Sequence, residues 1–237
     1  MTSWQQRGLR LVLISDTHGE HRSLDMPAGD VLIHGGDFTS FGKRKDADNF
    51  NEWLGTLPYS ARLVVLGNHE ANAEWVEDAA TILSNATLLR GSAIRIPASV
   101  PPTADSGASP APALCVYGTD FFWPAEGFFK PPYDEIPFDC DVLISHGPAL
   151  GHCDGGTGCG EILKHIIRVK PRVFVCGHIH EARGVCEGEG ALAGTTFFNA
   201  ANAPPRDTIS RKSNKKPTGD AARPAAARAR APMVVDL

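Results

Sequence analysis

Apolar residues recur along this chain in short runs, and each run stops at a polar cluster rich in Asp, Asn, His and Gly. Residues 9–15 lead into Asp16-Thr17-His18-Gly19, residues 31–34 into Gly35-Gly36-Asp37, and residues 63–66 into Gly67-Asn68-His69-Glu70. Residues 142–145 lead into His146-Gly147-Pro148, and residues 173–176 into Gly177-His178-Ile179-His180. Short apolar, partly β-branched runs bounded by turn-forming residues read as buried strands. Elsewhere the period is helical: residues 46–57 put Phe50, Trp53, Leu54 and Leu57 on one face, and residues 161–169 do the same with Ile162, Leu163, Ile166 and Ile167. Strands interleaved with helices predict an α/β fold. In such folds ligands collect beyond the carboxyl ends of the strands, so the repeated pattern predicts one site shared by five loops.

Two segments break the pattern. Residues 97–113 are dominated by Pro, Ala, Ser and Gly, which predicts a disordered surface loop between two edge strands. Residues 204–231 are rich in Lys, Arg, Ala and Pro with almost no large apolar side chain. They have too little to bury to offset their ordering entropy, and a disordered basic insertion is expected. Beyond it, residues 233–237 regain strand character and predict a terminal strand. With 237 residues and 42% hydrophobic content, the whole chain is expected to be a single domain with a substantial core.

Composition narrows the functional classes. No run approaches the ~18–20 apolar residues that span a bilayer, and the first thirty residues lack a signal-peptide pattern, so a cytoplasmic or nuclear protein without membrane partners is expected. Six scattered cysteines in such a compartment read as free thiols. Residues 203–237 carry eight Lys and Arg against three Asp, a balance of +5, which leaves -9 on the remainder of a chain whose net charge is -4. An acidic body is a poor match for nucleic acid, and a small-molecule substrate is the expected partner. The basic run around Arg211-Lys212-Ser213-Asn214-Lys215-Lys216 reads first as solvated chain, with a nuclear address or nucleic-acid contact as the sharper reading.

The polar loops offer carboxylate oxygen, amide oxygen and imidazole nitrogen without thiolate: Asp16, His18, Asp37, Asn68, His146, His178 and His180. That donor set suits two divalent ions such as Mn, Fe, Zn or Mg and does not choose among them. Each loop alone has an ordinary explanation, because Asp, Asn and Gly favour turns and caps for backbone reasons. Five such loops in one order, each after an apolar strand, are harder to explain that way.

Asp16-x-His18, Gly36-Asp37, Gly67-Asn68-His69-Glu70, His146 and Gly177-His178-x-His180 together resemble the motif set of the calcineurin-like metallophosphoesterase superfamily. The stretches Ser15-Asp16-Thr17-His18, Gly36-Asp37-Phe38-Thr39, Asn51-Glu52-Trp53-Leu54-Gly55 and Leu57-Pro58-Tyr59 resemble its metallophosphoesterase-domain-containing phosphodiesterase group. The resemblance implies two packed mixed β-sheets flanked by helices, an αββα sandwich with a dimetal site at one edge. It implies that Asp16, His18 and His180 hold one metal, that Asn68, His146 and His178 hold the other, and that Asp37 bridges them. His69, with Asn68, is then placed to bind substrate, and His69 to stabilise phosphoryl charge or protonate the leaving oxygen. Glu70 has no assigned role. Phe38-Thr39-Ser40 has no Tyr where purple acid phosphatases carry a metal-bound phenolate.

The expected activity is metal-dependent phosphodiester hydrolysis on a small substrate, cyclic nucleotides included. Phosphomonoester hydrolysis and a slow metal- or nucleotide-binding scaffold are the alternatives. The remaining groups read as structural. His34 sits inside an apolar strand as a core residue, with His21 and His34 also close enough in sequence to orient ligands. His152 and His165 are peripheral, the glycine-rich residues 154–160 read as a flexible rim with amides aimed at a phosphate as the sharper reading, and Cys153 and Cys159 are discounted as ligands.

Overall fold

The computed structural model describes residues 9–97, 113–120, 133–204 and 230–237. The readings of residues 97–113 and 204–231 fall, apart from their ends, outside the described residues. Among the described residues the strands are β1 (Arg10–Ile14), β2 (Val31–His34), β3 (Ala61–Val64), β4 (Thr87–Leu88), β5 (Ser92–Ile96), β6 (Leu114–Gly118), β7 (Val142–Ile144), β8 (Val173–Cys176), β9 (Gly184–Glu187), β10 (Thr196–Asn199) and β11 (Met233–Asp236). The α-helices are α1 (Arg44–Thr56), α2 (Asn68–Ala71), α3 (Ala79–Ile82) and α4 (Gly160–Val169).

Two mixed sheets result, ordered β11-β1-β2-β3-β4 and β5-β6-β7-β8-β10-β9. The central strands pair in parallel, and antiparallel β11, β5 and β9 close three of the four edges. The parallel strands are continuous apolar runs because both of their faces are covered. Alternate residues explain how. Leu11, Leu13, Ile33 and Leu63 of the first sheet pack against Val116, Val142, Ile144 and Val175 of the second. The intervening Val12, Ile14, Leu32 and Val64 meet Phe50, Trp53 and Leu54 of α1. On the far side Leu143, Phe174 and Phe197 meet Ile162 and Ile166 of α4. Period-two alternation therefore builds a helix–sheet–sheet–helix sandwich, as expected.

Both long helices stop where a proline follows. α1 gives way to an extended Leu57 before Pro58. α4 closes on Lys170 in the left-handed conformation before Pro171, with its N–H bonded to Ile166 O at 2.7 Å. One expectation is corrected: β5 lies on a sheet edge, but β6 lies between β5 and β7 and is buried along its whole length. Its Leu-Cys-Val-Tyr-Gly sequence has the unbroken apolar character of an interior strand. At the other edge, β11 pairs antiparallel with β1, and Met233, Val235 and Leu237 pack on the inter-sheet core.

Candidate metal centre

The five polar loops follow β1, β2, β3, β7 and β8, and both sheets send theirs to one end of the sandwich. Four of the residues in question have left-handed backbones: Asp16 (φ 54°), His18 (45°), Asp37 (56°) and His178 (66°). Asp and His visit this region more readily than other side chains, yet each visit costs roughly 1–2 kcal/mol and persists only when the surroundings over-determine it. Here loop hydrogen bonds do so. Asp16 N–H donates to Gly36 O (2.9 Å), His18 N–H to Asp37 O (3.0 Å) and Gly177 N–H to His146 O (2.9 Å). Close approach also requires glycine: a Cβ at Gly67 would run into the Asp37 carboxylate, and one at Gly177 into Asp16 and Ser15.

These turns aim the side chains at one point. Asp16 Oδ1 lies 3.1 Å from His180 Nε2, and His18 Nε2 lies 3.3 Å from the same nitrogen. Asn68 Oδ1 lies 3.1 Å from His146 Nε2 and 2.9 Å from His178 Nδ1. Asp37 Oδ2 stands between these groups, 3.4 Å from His146 Nε2 and 3.8 Å from His69 Nε2, while its Oδ1 accepts the His69 N–H at 2.8 Å. Three overlapping sets could each hold a metal ion: Asp16, His18 and His180; His18, Asp37 and His69; Asp37, His146 and His178. All eight side chains singled out in the sequence are therefore brought together.

The outer contacts favour metal ligation. His146 Nδ1 lies 2.7 Å from Gly35 O and His18 Nδ1 lies 3.3 Å from Thr39 O. Donation of Nδ1–H to those carbonyls leaves each Nε2 lone pair facing inward, the tautomer a metal requires. Two carboxylates, Asp16 and Asp37, are almost completely buried here, and buried charges need a counter-charge. Burial alone would depress the charge on His146, but Asp37 and Asp16 outweigh it and push its pKa up to about 9. Asp37 is held below the ordinary carboxylate range, because His146 and His69 overcome its burial. Burial and neighbouring His146 push His178 down to about 4. The donor set fits divalent cations: hard oxygens, borderline nitrogens and a buried negative charge that a cation would balance.

The supporting groups were mostly missed in the sequence. Glu70 is buried and accepts four hydrogen bonds, from Asp37 N–H (2.9 Å), Gly67 N–H (3.0 Å), Thr39 N–H (3.0 Å) and Thr39 Oγ1–H (2.5 Å). Burial and the Asp37 charge push its carboxyl up to about 7 against those donors. His34 is both core residue and brace: its Nδ1 accepts Gly36 N–H at 3.1 Å and its Nε2 bonds Thr17 Oγ1 at 3.0 Å, with burial pushing it down to about 3. A sixth strand, β10, also ends in a polar cluster, Asn199-Ala200-Ala201-Asn202. Asn199 Nδ2–H donates to Ile179 O (2.9 Å) and Cys153 O (3.0 Å), and Asn202 Oδ1 accepts Ser15 N–H (3.1 Å). The Phe197-Phe198 run before it was the available signal. Arg230 Nη2–H donates to His180 O at 2.7 Å.

The other candidates stay outside. The amides of Gly151, Gly156 and Gly158 turn onto Asp154 at 2.8–3.1 Å, so they are not aimed at a phosphate. His152 stacks on Phe197, His165 lies beside Asp134, and His21 bonds Asn49. Among the described residues no cysteine joins a candidate metal set, and none is in a disulfide. No helix among them is long and apolar enough to cross a membrane.

Comparison with known proteins adds to this geometry. The family model described as calcineurin-like phosphoesterase matches residues 9–182. A UPF0046 protein of Caenorhabditis elegans is 34% identical over 212 residues, covering 81% of this chain and 69% of its own length. The human metallophosphoesterase domain-containing protein 1 is 35% identical over 223 residues, covering 81% of this chain and 65% of its own. The chain thus spans about two thirds of these relatives. In three dimensions the crystal structure of TT1561 of Thermus thermophilus superposes with a TM-score of 0.57 at 12% identity, covering 81% of this chain and 88% of that one, a likeness of fold.

Proposed function

The chain belongs to the calcineurin-like phosphoesterase family, and from that premise we propose that it hydrolyses phosphate esters with two divalent metal ions, as a phosphodiesterase acting on small substrates. The observation that carries the reading is the convergence of three donor sets linked in pairs through His18 and Asp37. Asp16, His18 and His180 would hold one ion, Asn68, His146 and His178 the other, and Asp37 would serve both. Bound there, divalent cations would supply positive charge against phosphoryl oxygens and acidify an attacking water.

The chain's own part is to orient and to move a proton. Glu70 fixes the Asp37 backbone, and the carbonyls of Gly35 and Thr39 fix the ligand tautomers. The shorter contact of His69 Nδ1 is with Phe41 N–H, at 3.0 Å against 3.2 Å to Thr39 O. With Nδ1 accepting, the proton resides on Nε2, where it faces the centre and can be given to the leaving oxygen. The -9 balance of residues 1–202 supports a small substrate over a nucleic-acid chain.

The deciding experiment strips metal with chelator, adds back Mn, Fe, Zn or Mg, and compares bis(p-nitrophenyl) phosphate, p-nitrophenyl phosphate and cyclic nucleotides. Metal-dependent turnover of the diesters is the expected result. Faster turnover of the monoester would make it a phosphomonoesterase, and stoichiometric metal without turnover a binding scaffold.

A further inference from the structure

The turn between β2 and α1 has a side chain that neither the hydrophobic core nor metal ligation uses. Phe41 is 80% exposed, whereas Phe38 three residues earlier is fully buried. Its backbone is left-handed at φ 60°, an unfavourable state for a bulky L-residue. Four hydrogen bonds nevertheless lock the turn: Ser40 N–H to Asp46 Oδ2 (2.9 Å), Phe41 N–H to His69 Nδ1 (3.0 Å), Gly42 N–H to Thr39 Oγ1 (3.0 Å) and Trp75 Nε1–H to Gly42 O (2.7 Å). One face of the ring stacks on His69, with centroids 4.8 Å apart and planes at 16°. His69 in turn lies 4.5 Å from the His18 ring and shares a donor set with His18 and Asp37. A rigid aromatic is thus held one ring away from the centre with most of its surface open. A strained backbone held in a well-bonded turn beside the centre, with the ring stacked on His69, points to use by a ligand rather than by the fold.

We propose that Phe41 is a specificity residue whose open face stacks on a flat aromatic ring carried by the phosphoester, a nucleobase or an aryl ester group. This rests on the hydrolase reading and names the substrate class within it. Stacking on an aromatic platform tolerates many ring types, so Phe41 selects for the presence of a ring rather than for one base.

The test uses the full-length, metal-loaded protein and three esters with the same leaving group. With 2,2,2-trifluoroethanol as that leaving group, the thymidine 5′-ester carries a nucleobase, the benzyl ester an aryl ring, and the methyl ester no ring. Phe41→Leu should lower the preference in kcat/KM for a ring-bearing ester over the methyl ester by roughly 5- to 100-fold, mainly through KM. Any disturbance of His69 acts on all three esters and cancels in the ratio. Phe41→Trp should restore the preference. The arm that collapses identifies the ring as nucleobase or aryl. A calorimetric arm compares binding of AMP, phenyl phosphate and ribose 5-phosphate, and wild type should favour a ring-bearing phosphate while Phe41→Leu should not. An unchanged ratio in Phe41→Leu, as expected if the ring serves a protein partner, would overturn the proposal while leaving the hydrolase reading intact. Absence of turnover on every ester would overturn the hydrolase reading, and calorimetry would then judge Phe41 alone, with equal affinities for ring-bearing and ring-free phosphates counting against it.

Discussion

The two sheets furnish different mixtures of donors to one centre. The first supplies both carboxylates, the amide and the imidazoles of His18 and His69, and the second supplies only imidazoles, His146, His178 and His180. Their supports differ in the same way. On the first wall a buried carboxylate, Glu70, gathers the amides of Asp37, Gly67 and Thr39. On the second, neutral Asn199 and the Arg230 guanidinium hold backbone carbonyls of Ile179 and His180. One wall therefore sets the charge of the site, and the other sets where that charge is met.

The sharpest way to break this division is Asp37→Asn against His178→Ala. The amide keeps shape but removes the shared negative charge, so both metals should weaken and kcat/KM should fall by more than the roughly 100-fold that loss of an outer partner costs. His178→Ala removes one donor from one ion, so metal analysis should find one ion weakened and the other retained. Two tightly bound metals in Asp37→Asn would remove Asp37 from its bridging place.

His69 tests a difference within the first wall. It lies beside Asp37 and His18, and on the proposed reading His69→Ala should retain both metals while lowering kcat by roughly 10²- to 10⁴-fold. The defect should shrink for esters with good leaving groups if His69 donates the proton. Metal loss on this change would make it a ligand.

Smaller effects should come from the supports. Glu70→Gln exchanges an acceptor of four hydrogen bonds for an amide that accepts at only one atom, and should weaken metal binding by roughly 10- to 100-fold. Asn199→Ala acts behind the imidazoles and should disturb metal binding less than Glu70→Gln; titration of both variants with Mn²⁺ compares them. The reverse order would mean that the imidazole wall governs affinity.

The smallest effect concerns the metal-stripped protein and pH. Burial holds His18, His34 and His178 below the ordinary histidine value of about 6.5. Below that pH the unfolded chain binds protons that the folded one refuses, so they withdraw stability as pH falls from 6.5 toward 4. His146, raised to about 9, has the opposite sign: its contribution is full below 6.5 and disappears as pH rises through 9. Melting temperature should pass through a maximum between these limits, and added metal should flatten the alkaline side. A monotonic profile would contradict the opposed signs of His146 and the three depressed histidines.

Much of this was legible in the sequence because the chemistry-bearing residues sit immediately after the apolar runs that position them. A run of four residues predicts a buried strand, and the strand's end predicts where Asp37 or His178 stands. What escaped was the set of partners that only the fold brings close. Asn202 meets Ser15 across 187 positions and Arg230 meets His180 across 50, separations that leave no local pattern. Glu70 is adjacent to His69, but its role depends on amides 31 and 33 positions earlier. β10 went unread because the Asn199-Ala200-Ala201-Asn202 stretch at its end holds neither carboxylate nor imidazole, and β6 was misplaced because the segment before it carries no periodicity.

The pairing of β1 with β11 sets a timetable for synthesis. Arg10 and Asp236 lie 226 positions apart, so at about 5–20 residues per second β1 is made roughly 10 to 45 s before its antiparallel neighbour. β2 can cover one side of it early, while the other side stays an open template for strand addition by another nascent chain. Slower elongation late in the message would lengthen that exposure without altering the finished protein, and the yield of soluble chain, rather than its activity, would record the delay.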